Sequence, residues 1–196
     1  LGFAEADKAR IKALLKREDS ATRLCLVLGA SSALGDYLRR QPTAFAEFEK
    51  PVNALPSNDE LVASLTAAAK TALAQGLDTQ RIWSAVRIEY RRQLLRIAIF
   101  DLSAADPRMA QPAVAAALAD VAGAALEAGL VVARAELLGS SEHGLFAADE
   151  VVDTRLAVMA MGKCGARELN YISDVDVIFV GQSSNERTSH QRAVEV

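Results

Sequence analysis

The sequence predicts an α+β fold that is predominantly helical, a helical bundle leading into a short region built on strands. Three observations predict it. Apolar residues recur at helical spacing from Phe3 to about Leu138. Beyond Gly139 the spacing changes, and two short strand-like runs follow, the apolar Leu156 to Met161 and the β-branched-rich Asp174 to Val180, each bounded by a glycine. Aromatic residues make up only 5% of the chain, so the core must be built mainly from Ala, Leu, Val and Ile, a mixture that favours helices. The chain divides accordingly into a helical region, 1–138, and a second region, 139–196.

The elements follow in order. Ile11, Leu14 and Leu15 keep the i, i+3, i+4 rule, and Leu24, Val27 and Leu28 repeat it after a cap at Asp19 or Ser20. Ser31 to Arg40 reads as a short helix stopped by Pro42, with one or two further turns over Thr43 to Glu49 and a loop over Pro51 to Pro56. Ser57-Asn58-Asp59-Glu60 forms a capping box, and the helix it opens runs to Gly76. Asp78 or Thr79 starts a longer helix with Ile82, Val86, Tyr90, Leu94 and Ile97 on one face and Ile88, Leu95 and Ile99 roughly opposite, so it is expected to be buried on two sides. A last long helix is expected from Pro112, where proline suits a first helical position, to about Leu138. Gly139 to Gly144 is a loop signal, Leu156 to Met161 reads as a buried strand, and Asp174 to Val180, rich in β-branched residues, reads as a second strand. The tail from Gln182 to Val196 is polar.

Composition narrows the class. With 196 residues and 51% hydrophobic content the chain can bury a sizeable core, as one ordinary domain or two small ones. A net charge of -3 argues against nucleic acid held by bulk electrostatics. The two cysteines, Cys25 and Cys164, have no disulfide or zinc spacing, which points to a reducing cytoplasm. No basic stretch precedes an apolar one at the N-terminus, so no signal peptide is expected. The Ala-rich run from Ala113 to Ala133 carries Asp120 and Glu127, so it reads as a buried helix of a soluble protein and not as a membrane span. A chain that starts without Met and stops in polar sequence reads as part of something longer.

The unit that carries chemistry is a strand, then Gly162-Lys163-Cys164-Gly165-Ala166-Arg167-Glu168-Leu169-Asn170, then Ser173-Asp174-Val175-Asp176 entering a second strand. Glycines after a strand let the backbone turn tightly and approach a phosphate, which the N–H groups of a following helical turn favour. Gly162, Gly165, Lys163 and Ser173 are the candidate phosphate contacts, although Lys163 and Ser173 could equally hold the turn together. On a strand, residues two apart share a face, so Asp174 and Asp176 can reach one site while Val175 and Val177 enter the core. Two convergent carboxylates beside a phosphate suit Mg²⁺, and paired metals stabilise the entering and leaving oxygens of a phosphoryl displacement. The combination of strand, glycine turn and Asp-x-Asp resembles the polymerase β-like nucleotidyltransferase superfamily, with Lys163 where Gly or Ser is usual.

The wording from Met159 to Phe179, in particular Gly162-Lys163-Cys164-Gly165, Arg167-Glu168-Leu169-Asn170-Tyr171 and Ser173-Asp174-Val175-Asp176, resembles the signature of glutamine synthetase adenylyltransferase/deadenylases. Upstream, Arg91-Arg92-Gln93-Leu94-Leu95-Arg96-Ile97-Ala98 with Asp101-Leu102 is similar to the same family's Arg-x-Glu-Leu-Leu-Arg-Ile-Ala stretch. Cys164, Ala166 and Gln93 depart from the pattern, where Leu, Gly and Glu are common. The resemblance implies Asp174 and Asp176 as catalytic Mg²⁺ ligands, and a nucleotide, ADP or ATP, with inorganic phosphate as substrates or products. It implies glutamine synthetase as the partner, with a PII signalling protein as a second. Members carry two such domains in tandem, and Glu168-Leu169-Asn170 looks more like the N-terminal, adenylyl-removing copy. The implied reaction is phosphorolysis of AMP from an adenylylated tyrosine, giving ADP. The alternatives are ATP-dependent adenylylation by a C-terminal-type copy, or a non-catalytic helical platform that binds glutamine synthetase or PII. Superfamily members usually take a third carboxylate from a later strand, and Glu186 and Glu195 lie in polar sequence unlike a strand.

Other residues read more plainly. Arg167 and Glu168 are expected to form a local ion pair, Cys164 to be a small packing residue, Trp83 to be core, and His143 and His190 to be solvated. Arg81, Arg92 and Arg96 share a helix face that is either solvated or paired internally, or else offered to an acidic partner.

Overall fold

The structure is a computed structural model that describes residues 5–140, 151–152 and 154–182. In chain order the elements are α1 (Glu5–Leu15), α2 (Glu18–Ala30), α3 (Ser32–Arg40), a 3-10 segment (Pro42–Glu49), α4 (Asn58–Ala74), α5 (Thr79–Leu102), α6 (Pro107–Ser140), β1 (Arg155–Ala160), a single helical turn α7 (Gly162–Gly165) and β2 (Val177–Gln182). Among the described residues the fold is thus predominantly helical, with one two-stranded antiparallel sheet. His143, Glu186, His190 and Glu195, with the polar tail beyond Gln182, lie outside the described residues.

Helix boundaries follow local chemistry. Ser31 caps α3 by accepting from the Leu34 amide at 3.2 Å, and Asp78 caps α5 by accepting from the Arg81 amide at 2.9 Å. The capping box forms at α4: Ser57 N donates to Glu60 Oε2 at 2.8 Å, and Glu60 N to Ser57 Oγ at 3.3 Å. Gly76, at φ 65°, ends α4 in the left-handed region, where only glycine turns without cost. The last helix begins earlier than its sequence indicates. Pro107, not Pro112, takes the first position, because the Asp106 carboxylate accepts from Arg108 N at 3.0 Å and caps the turn. Pro112 lies inside the helix, at the expense of one ladder hydrogen bond.

Two apolar clusters share α5. Leu61 and Leu65 of α4, Ile82, Val86 and Ile97 of α5, and Leu118, Val121, Ala124, Ala128 and Val132 of α6 form the larger. The alanines let α6 lie close against α4, and Trp83 packs on the rim. Leu95 and Ile99, on the other side of α5, join Leu14, Leu24, Val27, Leu38, Phe45 and Phe48 of the N-terminal elements. The helix is buried on two sides, as its pattern requires, although Ile88 stays exposed. Among the described residues α6 is the one helix long and apolar enough to cross a membrane, and its apolar face is occupied by α4 and α5.

A polar network seals the junction of the two clusters. Glu47, almost fully buried, accepts from Lys50 Nζ at 2.7 Å and Arg92 Nη1 at 3.1 Å. Arg92 also forks onto Glu89 at 2.8 and 2.7 Å. The fully buried Gln93 donates to Ser64 Oγ and Glu89 Oε1 and accepts from Arg96 Nη1 at 2.9 Å. Arg92 and Arg96 are therefore paired internally; Arg81 pairs with Asp78 at the exposed start of α5.

β1 and β2 run antiparallel in a register from Arg155 opposite Gln182 to Ala160 opposite Val177. Both differ from expectation. β1 is not buried: Leu156 and Met159 are exposed, as are Ile178, Phe179 and Val180 of β2. A continuous apolar run shows that a strand needs cover on both faces; the cover itself comes from other layers, and among the described residues α6 stands opposite one face, across a cleft. β2 starts at Val177 and not at Asp174, because its partner β1 turns away after Met161 and gives Asp174 no ladder partner among the described residues.

Candidate functional site

The site is built where β1 runs into α7. Met161 keeps extended dihedrals, and its N–H donates to the Asp176 carbonyl at 2.8 Å, which carries the ladder one residue past the last strand pair. Gly162 then takes φ 54°, a left-handed value costing a residue with a Cβ roughly 1–2 kcal/mol. The single turn closes with Gly165 N on Met161 O at 3.0 Å and Ala166 N on Gly162 O at 2.9 Å. A Cβ on Gly165 would collide with the Ala160 carbonyl, so this position needs glycine for space.

Asp176 and Gly162 face each other. A Cβ placed on Gly162 would lie 4.0 Å from Asp176 Oδ2, so the carboxylate stands directly over the turn. Strand alternation puts Asp176 with Ile178 and Val180 on the sheet face away from α6. Asp174 precedes β2 by two further residues in irregular backbone, and both carboxylates are exposed. The strand parity expected to bring them together therefore applies to Asp176 alone. Val175 is exposed and Val177 half-buried, so neither enters the core as the strand reading required. Lys163 is exposed at the start of the turn. Ser173 Oγ donates to Asn170 Oδ1 at 2.6 Å, and the Ile172 amide donates to the same oxygen at 3.1 Å, which folds residues 170–173 into a side-chain-closed turn.

The turn is fastened to the helical bundle. Cys164 and Leu169 are buried in the larger cluster beside α6. Burial and the neighbouring Asp120 push the Cys164 thiol up, so it is a packing group and not a thiolate nucleophile. Arg167 does not pair with Glu168. Its guanidinium forks onto Asp120 of α6, at 2.5 and 2.8 Å. Tyr171 Oη donates to Asp101 Oδ2 of α5 at 3.0 Å, and burial, with the Asp101 charge, raises the phenol well above its ordinary range. The sequence contained one signal for the first contact, Asp120, one of two acids with Glu127 in an Ala-rich apolar run. A residue of that type needs a cation, but spacing alone cannot say which.

A cleft of about 690 Å³ separates α6 from the other sheet face, lined by Gly123, Leu130, Val158, Phe179, Gly165 and Arg167 among others. Among the described residues no group of three potential metal ligands is assembled, and neither Asp174 nor Asp176 has its side chain engaged by another described residue. Asp174 and Asp176 each present a solvent-facing carboxylate, the hard oxygen donor that a Mg²⁺ ion takes.

The family model for glutamate–ammonia ligase adenylyltransferase matches residues 21–196. The chain is 44% identical over 173 residues to the bifunctional glutamine synthetase adenylyltransferase/adenylyl-removing enzyme of Leifsonia xyli, covering 88% of this chain and 17% of that protein. It is 43% identical over 180 residues to the enzyme of the same name from Mycobacterium avium, and 40% identical over 189 residues to that from Cutibacterium acnes. These alignments cover 90% and 93% of this chain but 17% and 18% of the relatives. The chain thus spans under a fifth of the length of the curated relatives it matches. No solved structure matches it. With the family model covering most of its residues, the chain belongs to the glutamate–ammonia ligase adenylyltransferase family.

Proposed function

We propose that this chain supplies the glycine turn and two carboxylates of a polymerase β-like nucleotidyltransferase site, in a cytoplasmic enzyme that removes AMP from an adenylylated tyrosine of glutamine synthetase. The observation that carries the reading is the Asp176 carboxylate standing over the Gly162 turn, fixed there by the Met161–Asp176 backbone hydrogen bond.

In this reaction an oxygen of inorganic phosphate forms a bond to the phosphorus of the tyrosyl-AMP diester. The bond from phosphorus to the tyrosine oxygen breaks, ADP leaves, and the phenolate takes up a proton. Gly162 and Gly165 give the phosphates close approach to the backbone, and Lys163 adds a point charge beside them. Asp174 and Asp176 would hold Mg²⁺, which when bound supplies positive charge to the non-bridging oxygens. Phosphoryl transfer needs mainly such positioning and electrostatic stabilisation. Glu168-Leu169-Asn170 favours the adenylyl-removing copy. The Arg92 and Arg96 pairing inside the bundle speaks against an arginine-lined docking face for an acidic partner.

The test is to assay the two directions separately in the full-length enzyme carrying Asp176→Asn. The proposal expects phosphate-dependent release of ADP from adenylylated glutamine synthetase to be lost and ATP-dependent adenylylation to persist. The opposite pattern would assign this site to the adenylylating reaction.

A further inference from the structure

We propose that Asp120, reaching from α6 to Arg167, is a positioning residue that sets the glycine turn against the carboxylates of the site. This rests on the functional reading above and extends it from the reacting residues to the helical bundle. The Asp120 side chain is only 14% exposed, on a helix whose neighbouring residues, Ala119 and Val121, are core. Both of its oxygens are used by one guanidinium, at 2.5 and 2.8 Å. Such a fork fixes direction as well as distance, which a lysine could not do.

Arg167 sits where a left-handed φ of 60° would suit glycine or asparagine better, so its side chain, not its backbone, accounts for arginine at this place. Its N–H donates to Cys164 O at 3.1 Å, and that of Glu168 donates to Lys163 O at 2.8 Å, so the residue held by Asp120 also closes the turn that begins at Gly162 and Lys163. On the far side of Asn170, Tyr171 is held by Asp101 of α5. The bundle thus grips the segment between the phosphate-facing turn and Asp174 at both of its ends.

Arg167 is 56% exposed, and an ion pair so wetted adds little to global stability. A merely structural role therefore predicts that cutting the pair does almost nothing. A positioning role predicts a selective loss, because small misplacements of reacting groups cost rate steeply. The experiment uses the full-length enzyme with Asp120→Asn, Arg167→Lys and, as a control for the site itself, Asp176→Asn. Asp120→Asn is expected to lower kcat for phosphorolysis about 10- to 100-fold, with KM for phosphate changed less than about threefold and the melting temperature nearly unchanged. Arg167→Lys, which keeps the charge but loses the fork, should fall between it and wild type. Native-state amide exchange reads the tether without turnover: the amides of Gly165, Arg167 and Glu168 should exchange faster in Asp120→Asn while those of α4 do not. Unchanged turn exchange, or a kcat within twofold of wild type while Asp176→Asn is inactive, overturns the positioning role. An active Asp176→Asn instead sinks the functional reading, and the exchange result then decides the tether alone.

Discussion

At the scale of single residues, the site depends on atoms that are missing. Gly165 has no Cβ because the Ala160 carbonyl occupies its place, and Gly162 has none because its left-handed backbone would strain one. Gly165→Ala must push β1 and α7 apart, a small-to-large change in a filled space that costs roughly 1–3 kcal/mol. Thermal unfolding should show that loss with activity falling further than stability; an alanine enzyme as stable and active as wild type would contradict the packing described. These glycines were legible in the sequence as a tight turn after a strand. The Arg167 partner was not: the adjacent Glu168 looked nearer along the chain, whereas folding brings Asp120, forty-seven positions away, into fork geometry.

At the scale of elements, the helices were readable because caps and periodicity are local. Ser57-Asn58-Asp59-Glu60 specifies its own helix start, and both reciprocal hydrogen bonds are present. Ser57→Ala should cost about 1 kcal/mol, the usual worth of a cap, measured as a lowered urea midpoint with an unchanged slope; no shift would mean that the box adds nothing to α4. The strands were less readable, because where a strand begins depends on its partner and how deeply it lies depends on other layers. Asp174 therefore fell outside β2 and β1 came to the surface. The junction of α5 with the 3-10 segment titrates. Burial raises the Glu89 carboxyl, but hydrogen bonds from Arg92 and Gln93 outweigh it and hold the group below its ordinary value. A carboxylate lowered in the folded state stabilises fully above its unfolded pKa, and that contribution disappears as pH falls through the folded one. Wild type should lose stability on acidification through the carboxylate range. Glu89→Gln should be less stable at pH 7 and decline less steeply in acid; parallel pH profiles of the two proteins would refute the assignment.

At the scale of the molecule, a firmly packed bundle carries a two-stranded sheet that is exposed on both faces. Such ribbons are marginal on their own, and stability is distributed unevenly through a fold. Amides in the β1–β2 ladder should exchange much faster than those of Leu118 and Val121 in α6, and equal protection would contradict this division. The bundle still serves the site, since Asp120, Asp101, Cys164 and Leu169 tie the turn segment to it. Helical content and the Gly-Lys…Asp-x-Asp constellation were legible in the sequence; the bundle's grip on that constellation was not, because it joins residues remote along the chain. The central claim is that Asp174 and Asp176 act beside the Gly162 turn as the charge-handling carboxylates of nucleotidyl transfer. Its most direct test is phosphate-dependent ADP release from adenylylated glutamine synthetase by the full-length enzyme carrying Asp174→Asn or Asp176→Asn. The account predicts near-complete loss of turnover in each with the melting temperature unchanged; turnover near the wild-type rate in either would contradict it.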